Sequence, residues 1–218
     1  MTCLLVVAKA PVPGLAKTRL TPPATEEQAA DIAAAALLDT LDAVLATPGA
    51  RPVVAMTGDL RRARRGQEIA DLLAGCTVFD QHGNGFAERL AGAHADVADA
   101  FPDEAVFQIG MDTPQVSPAL LAEALDALRD GEGALGRALD GGWWGLGLRD
   151  PRQAKALATV PMSRADTADL TIAALAGAGV RLGELPVLSD VDTIEDALRV
   201  AAGHPGGRFA RAVAALAA

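Results

Sequence analysis

Short apolar runs alternate with helical segments along roughly the first 130 residues, and this alternation is the feature that most constrains the fold. Apolar runs that are rich in β-branched residues and bounded by Gly and Pro are typical of buried strands. Strict strand-then-helix order predicts right-handed crossovers and a mainly parallel sheet covered on both faces. The predicted strands are residues 3–8, 52–56, 76–79 and 104–109, and the predicted helices are residues 25–46, 59–74, 86–100 and a segment from Ser117.

Three of these helices begin with recognisable capping residues. Thr25 with Gln28 has the spacing of a capping box, Asp59 is a predicted N-cap, and Ser117 precedes a proline at the first helical position.

The strand-then-helix alternation changes near residue 130. The predicted strands are then 133–139, 143–148 and an edge segment at 180–188, and the helices are 151–157, 165–178, 193–202 and 207–217.

The chain shows no internal repeat, no low-complexity linker and no break in composition. Its length fits one large domain. The sequence therefore predicts a single α/β domain over residues 1–218, Rossmann-like and three-layered, with a mixed, mostly parallel central sheet.

Charge and cysteine usage narrow the classes of function. With 19 basic and 28 acidic residues, the net charge of −9 argues against a general nucleic-acid binder. Cys3 and Cys76 lie far apart in apolar segments, which indicates reduced core residues of a cytoplasmic protein rather than a disulfide or zinc site. No apolar stretch is long enough to serve as a membrane span.

Three carboxylates follow predicted strands. Asp112 comes directly after the fourth strand, and Asp190 and Asp192 follow the apolar run that ends at Leu188. Ligands of open α/β sheets bind beyond the carboxyl ends of the strands. Hard cations prefer oxygen ligands, so the trio predicts a site for Mg²⁺ or Mn²⁺. The alternative is that these residues only begin turns or cap helices.

The loop after the first strand carries three cations. Lys9, Lys17 and Arg19 lie on it, and Gly14 allows its backbone to approach a ligand. Fixed cations can bind phosphates and stabilise the charge on a leaving diphosphate or pyrophosphate. The alternative is an ordinary solvated loop. The loop lacks the pattern of nucleoside triphosphatases and that of dinucleotide-binding folds.

Two further glycine-rich segments lie where ligands are expected. Gln81 and Gly83 follow the third strand and precede a helix, so backbone N–H groups there can approach a ligand; the alternative is a connecting turn. Trp143 and Trp144 follow Asp140 and two glycines. Because successive strand residues face opposite sides, one tryptophan can pack in the core while the other lines a pocket; the alternative is a purely structural pair.

Taken together, these segments resemble small bacterial and archaeal glycosyltransferases of the nucleotide-diphospho-sugar transferase superfamily, which are similar in sequence logic to the guanylyltransferases that activate phospholactate or molybdopterin. The matching segments run in order over nearly the whole chain. They are residues 8–20, Gln81 to Gly83 with Glu88 and Arg89, 110–114, 138–143, and 185–186 with 190–193.

The resemblance implies the glycosyltransferase type A fold and a role for each matching residue. The implied roles are a metal aspartate for Asp112, a second acidic site for Asp190 and Asp192, phosphate binding for Lys17 and Arg19, a nucleobase segment for Gln81 and Gly83, and contacts to acceptor or sugar for residues 140–143. The chain departs from the family pattern at Trp143, where Tyr is usual, and at residues 162–164, which read Met-Ser-Arg in place of Trp-Ser-Thr. Acceptor identity is therefore the property that transfers least.

These observations predict a transferase that depends on Mg²⁺ or Mn²⁺, uses a nucleotide or nucleotide-sugar donor and modifies a small-molecule acceptor. The favoured activity is glycosyl transfer from a nucleoside-diphosphate sugar, with Lys17 and Arg19 as catalytic cations and Asp140 as a general-base candidate. One alternative is a nucleotidyltransferase that releases pyrophosphate, and another is a catalytically silent nucleotide-binding protein. The sequence leaves open whether the chain forms a homodimer.

Overall fold

A seven-stranded mixed sheet forms the centre of the protein. The computed structural model describes residues 1–217, apart from the side chains of residues 130 and 217, so the predicted domain end at residue 218 lies outside the described part. The strands are β1 Thr2–Lys9, β2 Ala50–Thr57, β3 Thr77–Asp80, β4 Ala105–Gly110, β5 Gly133–Ala138, β6 Trp143–Leu148 and β7 Leu182–Leu188. Their order in the sheet is β3-β2-β1-β4-β6-β5-β7.

All neighbouring strands are parallel except at β6, which runs antiparallel to both β4 and β5. Consequently β1, β4, β5 and β7 run in one direction, so their carboxyl ends lie at the same end of the sheet. The segment predicted as a last edge strand is β7, which forms one edge. The predicted α/β class with a mixed, mostly parallel sheet is confirmed.

Helices cover both faces of the sheet. They are α1 Glu26–Leu45, α2 Gly66–Leu73, α3 Phe86–Ala100, α4 Pro118–Asp130, α5 Thr167–Gly177, α6 Ile194–Gly203 and α7 Arg208–Ala214. Short 3-10 segments occupy Thr18–Leu20, Leu60–Arg62, Pro151–Thr159 and Ala215–Ala217. Among the described residues, no helix combines the length and the apolar character needed to span a membrane.

Strand alternation divides the apolar residues of the sheet between two cores. Leu4 and Val6 face a core shared with α1, α2 and α4, whereas Cys3 and Leu5 face a core shared with α3, α5 and the 3-10 segment Pro151–Thr159. Strands β1, β4 and β6 therefore bury side chains on both faces, which is why these runs are continuously apolar rather than alternating. A third cluster joins α1 to α6 and α7.

Two predicted caps are confirmed and one is wrong. Thr25 and Gln28 form the reciprocal capping box of α1, and Ser117 accepts from the backbone N–H of Leu120 at 3.2 Å. Asp59 does not begin a long helix. Its carboxylate accepts from the backbone N–H of Arg61 at 2.9 Å and closes a 3-10 turn, and α2 begins only after Arg65, which has a left-handed backbone.

The predicted helix 151–157 is also wrong in type, because residues Pro151–Thr159 form a 3-10 segment. Asp150 accepts from the N–H of Arg152, two residues ahead, and this tight turn starts the segment. In both segments the Asp is an N-cap, but it caps a 3-10 turn, a short form that is common as a connector and at helix ends.

Candidate functional site

A large cavity of about 960 Å³ lies at the edge of the sheet where the parallel strands end. The loops after β1, β4, β5 and β7 contribute to its wall, together with the first turns of α3. Of the residues predicted from sequence, those that line this cavity are Lys9, Arg19, Gln81, Asp112, Asp140, Trp143, Asp190 and Asp192.

The pairing of β5 with β7 brings two of the carboxylates together. Ala138 pairs with Leu188, so Asp140 and Asp190 each lie two residues beyond a paired position at the ends of adjacent parallel strands. Oxygen atoms of Asp140, Asp190 and Asp192 all lie within 4.8 Å of one another. We call these three residues the acidic group. Its composition differs from the predicted trio, because Asp140 takes the position that was expected for Asp112.

The turn that carries Asp140 depends on a glycine. Gly141 has φ +89°, and a Cβ there would lie 2.0 Å from the carbonyl oxygen of Ala165. The Asp140 carboxylate accepts from the backbone N–H of Gly142 at 2.8 Å, which orients it at the tip of the turn. Close packing of this turn against the segment before α5 therefore holds Asp140 at the acidic group.

Lys17 joins Asp112 to the acidic group. Its ammonium donates to Asp112 Oδ2 at 2.8 Å and to Asp192 Oδ1 at 3.0 Å, and its side chain is only 13% exposed. Arg19, which is largely exposed, contacts the other oxygen of Asp192 at 2.9 Å. The backbone N–H of Val191 donates to the carbonyl of Asp112 at 3.2 Å, so the loops after β4 and β7 are also tied directly.

Opposing effects act on the charge of Lys17. Burial acts to lower the pKa of its ammonium, but the charges of Asp112 and Asp192 outweigh that cost, and the pKa is raised. Lys17 is therefore charged at neutral pH. A buried cation between two carboxylates stabilises their convergence.

Asp190 is strained electrostatically. The pKa of its carboxyl is raised to about 6, first by burial and then by the negative charges of Asp140, Asp112 and Asp192, against the lowering effect of Lys17. Like charges at this separation disfavour ionisation unless a positive charge lies among them. The acidic group thus offers the oxygen ligands that a hard cation prefers, and the repulsion among its carboxylates would be reduced by such a cation.

The remaining predicted residues have separate contacts and do not all line the large cavity. Lys9, which was predicted on the loop, is instead the last residue of β1, and its ammonium donates to the carbonyl of Leu15 in that loop at 2.9 Å. Gly14 lines a separate cavity of about 140 Å³. The amide nitrogen of Gln81 donates to the carbonyls of Ala8 and Ala55, at the ends of β1 and β2. Gly83 has a positive φ and lies in the turn before α3. Their roles in binding stay predictions.

The two tryptophans face opposite sides of β6, as strand alternation predicts. Trp144 is buried, donates to the carbonyl of Pro186 at 2.8 Å and packs edge-on against Phe107. Trp143 is half-buried, donates to Thr171 Oγ1 at 3.2 Å and lines the cavity. Its ring is a surface on which a substrate can pack, and that role stays a prediction.

The sequence analysis did not assign a role to three arginines that line the cavity, Arg89, Arg164 and Arg199. Arg199 donates to Ser189 Oγ at 2.9 Å and contacts Asp196, and Arg164 pairs with Asp166 at 2.8 Å. Arg89 follows the glycine-rich turn at the start of α3 and lies in a segment that the sequence analysis matched to the family, and these two features were the signals available for it. Arginines next to loops at the carboxyl edge of a sheet are candidates whenever the ligand is anionic or rich in acceptors.

The chain is similar in sequence to several known proteins. Residues 40–164 match the family described as "uncharacterized protein conserved in bacteria" (DUF2064). The phosphoenolpyruvate guanylyltransferase of Streptomyces coelicolor is 39% identical over 112 residues, 51% of this chain and 51% of that protein. The protein of the same name from Streptomyces avermitilis is 37% identical over 112 residues, 51% of this chain and 50% of that protein. The chain spans about half the length of these curated relatives.

A solved structure covers much more of the chain. A provisionally named nucleotide-diphospho-sugar transferase from Desulfovibrio desulfuricans has a TM-score of 0.84 and 26% identity, over 100% of this chain and 95% of that chain. The suspected family relationship, including the relation to guanylyltransferases, is confirmed, and so is the predicted fold.

Proposed function

The chain belongs to the DUF2064 family, and we propose that it is a metal-dependent nucleotidyltransferase that joins a nucleoside triphosphate to a small phosphorylated acceptor and releases pyrophosphate. The observation that carries this proposal is the inclusion of Asp140 in the acidic group. In this proposal Asp140, the general-base candidate for glycosyl transfer, would instead be one of three carboxylates that hold the metal.

The two reactions differ in their need for a base. A sugar hydroxyl must lose a proton as it attacks, so an inverting glycosyltransferase needs a base near the acceptor. A phosphate acceptor is already ionised at neutral pH and needs none. A site built from clustered carboxylates and adjacent cations therefore suits phosphate attack on phosphorus, where positioning and electrostatics supply most of the catalysis.

In the proposed reaction an oxygen of the acceptor phosphate forms a bond to the α-phosphorus of the donor. The bond between the α-phosphorus and the oxygen bridging to the β-phosphorus breaks, and its electron pair leaves with pyrophosphate. Lys17 and Arg19 lie beside the carboxylates and bear the positive charge that can hold the donor phosphates. Asp112 positions Lys17 through its 2.8 Å contact.

Asp140, Asp190 and Asp192 would hold Mg²⁺ or Mn²⁺. Three carboxylate oxygens within 4.8 Å of one another fit a hard divalent ion, which leaves positions for water and substrate phosphates. Such an ion neutralises the charge that develops on the phosphates during transfer. Within the protein, its binding would offset the burial and the carboxylate repulsion that together raise the pKa of Asp190.

The relatives support nucleotidyl transfer over the glycosyl transfer that the sequence analysis favoured, because the two curated relatives are named guanylyltransferases. Glycosyl transfer from a nucleoside-diphosphate sugar is the second candidate. It is favoured by the structural match over the full chain to a protein provisionally named for that class.

A pyrophosphate-release assay separates the candidates. The purified chain is incubated with Mg²⁺ or Mn²⁺, each of the four nucleoside triphosphates and a panel of small phosphorylated acids that includes phosphoenolpyruvate. We expect pyrophosphate release that requires both the acceptor and the divalent ion. Release of a nucleoside diphosphate from a sugar nucleotide, with no pyrophosphate in the first assay, would support glycosyl transfer instead. Binding that leaves every donor intact would indicate the catalytically silent protein.

A further inference from the structure

Asp190 differs from the other two members of the acidic group in how its carboxylate is held. Asp140 accepts from the backbone N–H of Gly142, and Asp192 is paired with Lys17. The carboxylate of Asp190 makes no hydrogen bond or ion pair with any residue that the structure describes. The position of this carboxylate therefore depends on the backbone on either side of it.

Two hydrogen bonds hold that backbone, and both connect it to the loop after β4. The carbonyl of Ser189 accepts from Nε2 of Gln115. The backbone N–H of Val191 donates to the carbonyl of Asp112 at 3.2 Å. One bond lies just before Asp190 and the other just after it, so this residue is held on both sides.

The sheet does not supply this connection. Strands β4 and β7 are separated by β6 and β5, and β7 ends at Leu188, two residues before Asp190. Pairing of β5 with β7 sets Asp190 beside Asp140, but its register shifts between Gly136 and Ala138. Contacts between the loops are therefore what ties Asp190 to the loop after β4.

The side chain of Gln115 is costly to bury and is explained by this one bond. Gln115 is 8% exposed, and its Oε1 is buried without a hydrogen-bond partner among the described residues. Only the amide nitrogen can donate to the carbonyl of Ser189, so the amide has one possible orientation. An apolar side chain of similar length would fill the position without leaving a buried acceptor unsatisfied. The bond to Ser189 is therefore what the amide contributes.

We propose that Gln115 is a positioning residue for the divalent ion, because its bond to Ser189 keeps Asp190 within reach of Asp140 and Asp192. Without a cation these carboxylates repel one another, so a less restrained backbone would let Asp190 withdraw. A ligand that is already in place binds an ion more tightly, since less conformational freedom is lost on binding.

Gln115 lies outside the cavity wall, so it acts through Asp190 and not by contact with the ion or the substrate. The inference rests on the proposed function, because it assumes that the acidic group holds Mg²⁺ or Mn²⁺. It adds a residue on a different loop whose loss weakens the metal site while all three carboxylates remain.

Titration with Mn²⁺, without nucleotide or acceptor, tests the proposal, with free Mn²⁺ measured by electron paramagnetic resonance. Gln115→Met is close to wild type in length but lacks the donor. We expect it to bind Mn²⁺ about tenfold more weakly, at the lower end of the range for outer partners of metal ligands, since the bond between Val191 and Asp112 remains. Any loss of pyrophosphate release in this variant should be recovered at saturating Mn²⁺.

Two further variants control the experiment. Gln67→Met makes the same change at an exposed position on α2, where Gln67 pairs with Asp71, and should bind Mn²⁺ as wild-type protein does. Gln115→Asn keeps the amide on a shorter side chain that cannot reach Ser189 in the same way, and it should also bind more weakly. Thermal unfolding identifies any variant that fails to fold.

A measurement on wild-type protein needs no variant. If the bond from Gln115 favours binding of the ion, then the ion must favour the bond to the same extent. Mg²⁺ should therefore slow hydrogen exchange of the side-chain amide of Gln115, followed by nuclear magnetic resonance. Exchange of the side-chain amide of Gln67 should not change.

The results that overturn the proposal differ from those that overturn the proposed function. Equal Mn²⁺ affinity in wild-type protein and Gln115→Met would remove the positioning role. A lower unfolding temperature with unchanged Mn²⁺ affinity would make Gln115 a structural residue only. In either case, metal-dependent pyrophosphate release by wild-type protein would still support the proposed function. Failure of wild-type protein to bind either ion, with or without nucleotide, would overturn both.

Discussion

The two ends of the cavity differ in whether their cationic side chains are paired with carboxylates. At the acidic end, Lys17 and Arg19 are already paired with Asp112 and Asp192. At the other end, Arg89 makes no such contact with any described residue. The acidic end is held together by the protein's own charges, whereas the Arg89 guanidinium has no ion pair among the described residues. The comparison indicates that the acidic group and its two cations are preorganised for the proposed reaction.

The largest effect is expected from Asp190→Asn. Loss of one carboxylate from the acidic group should lower acceptor-dependent pyrophosphate release by about 100-fold or more. Mutating a residue that only hydrogen-bonds to a metal ligand already lowers metal affinity or activity by about 10–100-fold, and Asp190 would contact the metal itself. Steady-state assays at saturating Mg²⁺ measure the loss. Asp103→Asn, which makes the same change at an exposed position outside the cavity, should retain full activity. Equal activity of the two variants would contradict the role assigned to the acidic group.

Lys17→Met should affect stability as well as activity. It leaves Asp112 and Asp192 facing each other without the intervening cation, and both carboxylates are about one-third exposed. We expect the free energy of unfolding to fall by about 2 kcal/mol, less than for a fully buried pair because water screens part of the repulsion. Urea unfolding with and without Mg²⁺ tests this.

Added Mg²⁺ should restore more stability to Lys17→Met than to wild-type protein, since the ion replaces the lost positive charge. Lys155→Met is the matched control, because Lys155 is exposed and lies outside the cavity wall. Unfolding curves for Lys17→Met that coincide with those of this control, at every Mg²⁺ concentration, would show that Lys17 does not hold the two loops together.

A smaller effect concerns the helix that carries Arg89. His94 on α3 is fully buried and pairs with Gln108 through Nε2 at 3.0 Å, while its Nδ1 has no hydrogen-bond partner among the described residues. Burial lowers the pKa of His94 to about 4, against the raising effect of the Gln108 contact. The unfolded state takes up a proton near pH 6.5, so stability is complete above that pH and is lost as the pH falls toward 4.

Between pH 7.5 and 5.5, wild-type protein should lose about 1 kcal/mol more unfolding free energy than His94→Gln, which cannot titrate there. Denaturant unfolding at the two pH values measures the difference. His204→Gln removes an exposed histidine and should keep the wild-type pH dependence. Parallel pH profiles for wild-type protein and His94→Gln would rule out a neutral His94 as the cause.

The first half of the chain was predictable because local signals and tertiary packing agree there. The run Leu4 to Val7 is continuously apolar since both of its faces are buried, and Thr25 caps α1 as its spacing with Gln28 predicts. Errors arose where a short polar side chain preferred its own backbone. Asp59 and Asp150 both closed 3-10 turns in segments whose composition favoured α-helix.

The sequence by itself determined the strand-and-helix order, because local apolar patterns and capping residues are enough to indicate buried strands and helix starts. It also determined that Asp112, Asp190 and Asp192 lie just beyond strands. Only the tertiary structure decided which carboxylates meet. The insertion of β6 between β4 and β5 separates Asp112 from Asp140, and the pairing of β5 with β7 sets Asp140 beside Asp190. Long-range strand order and register depend on packing between distant segments, which no local pattern specifies.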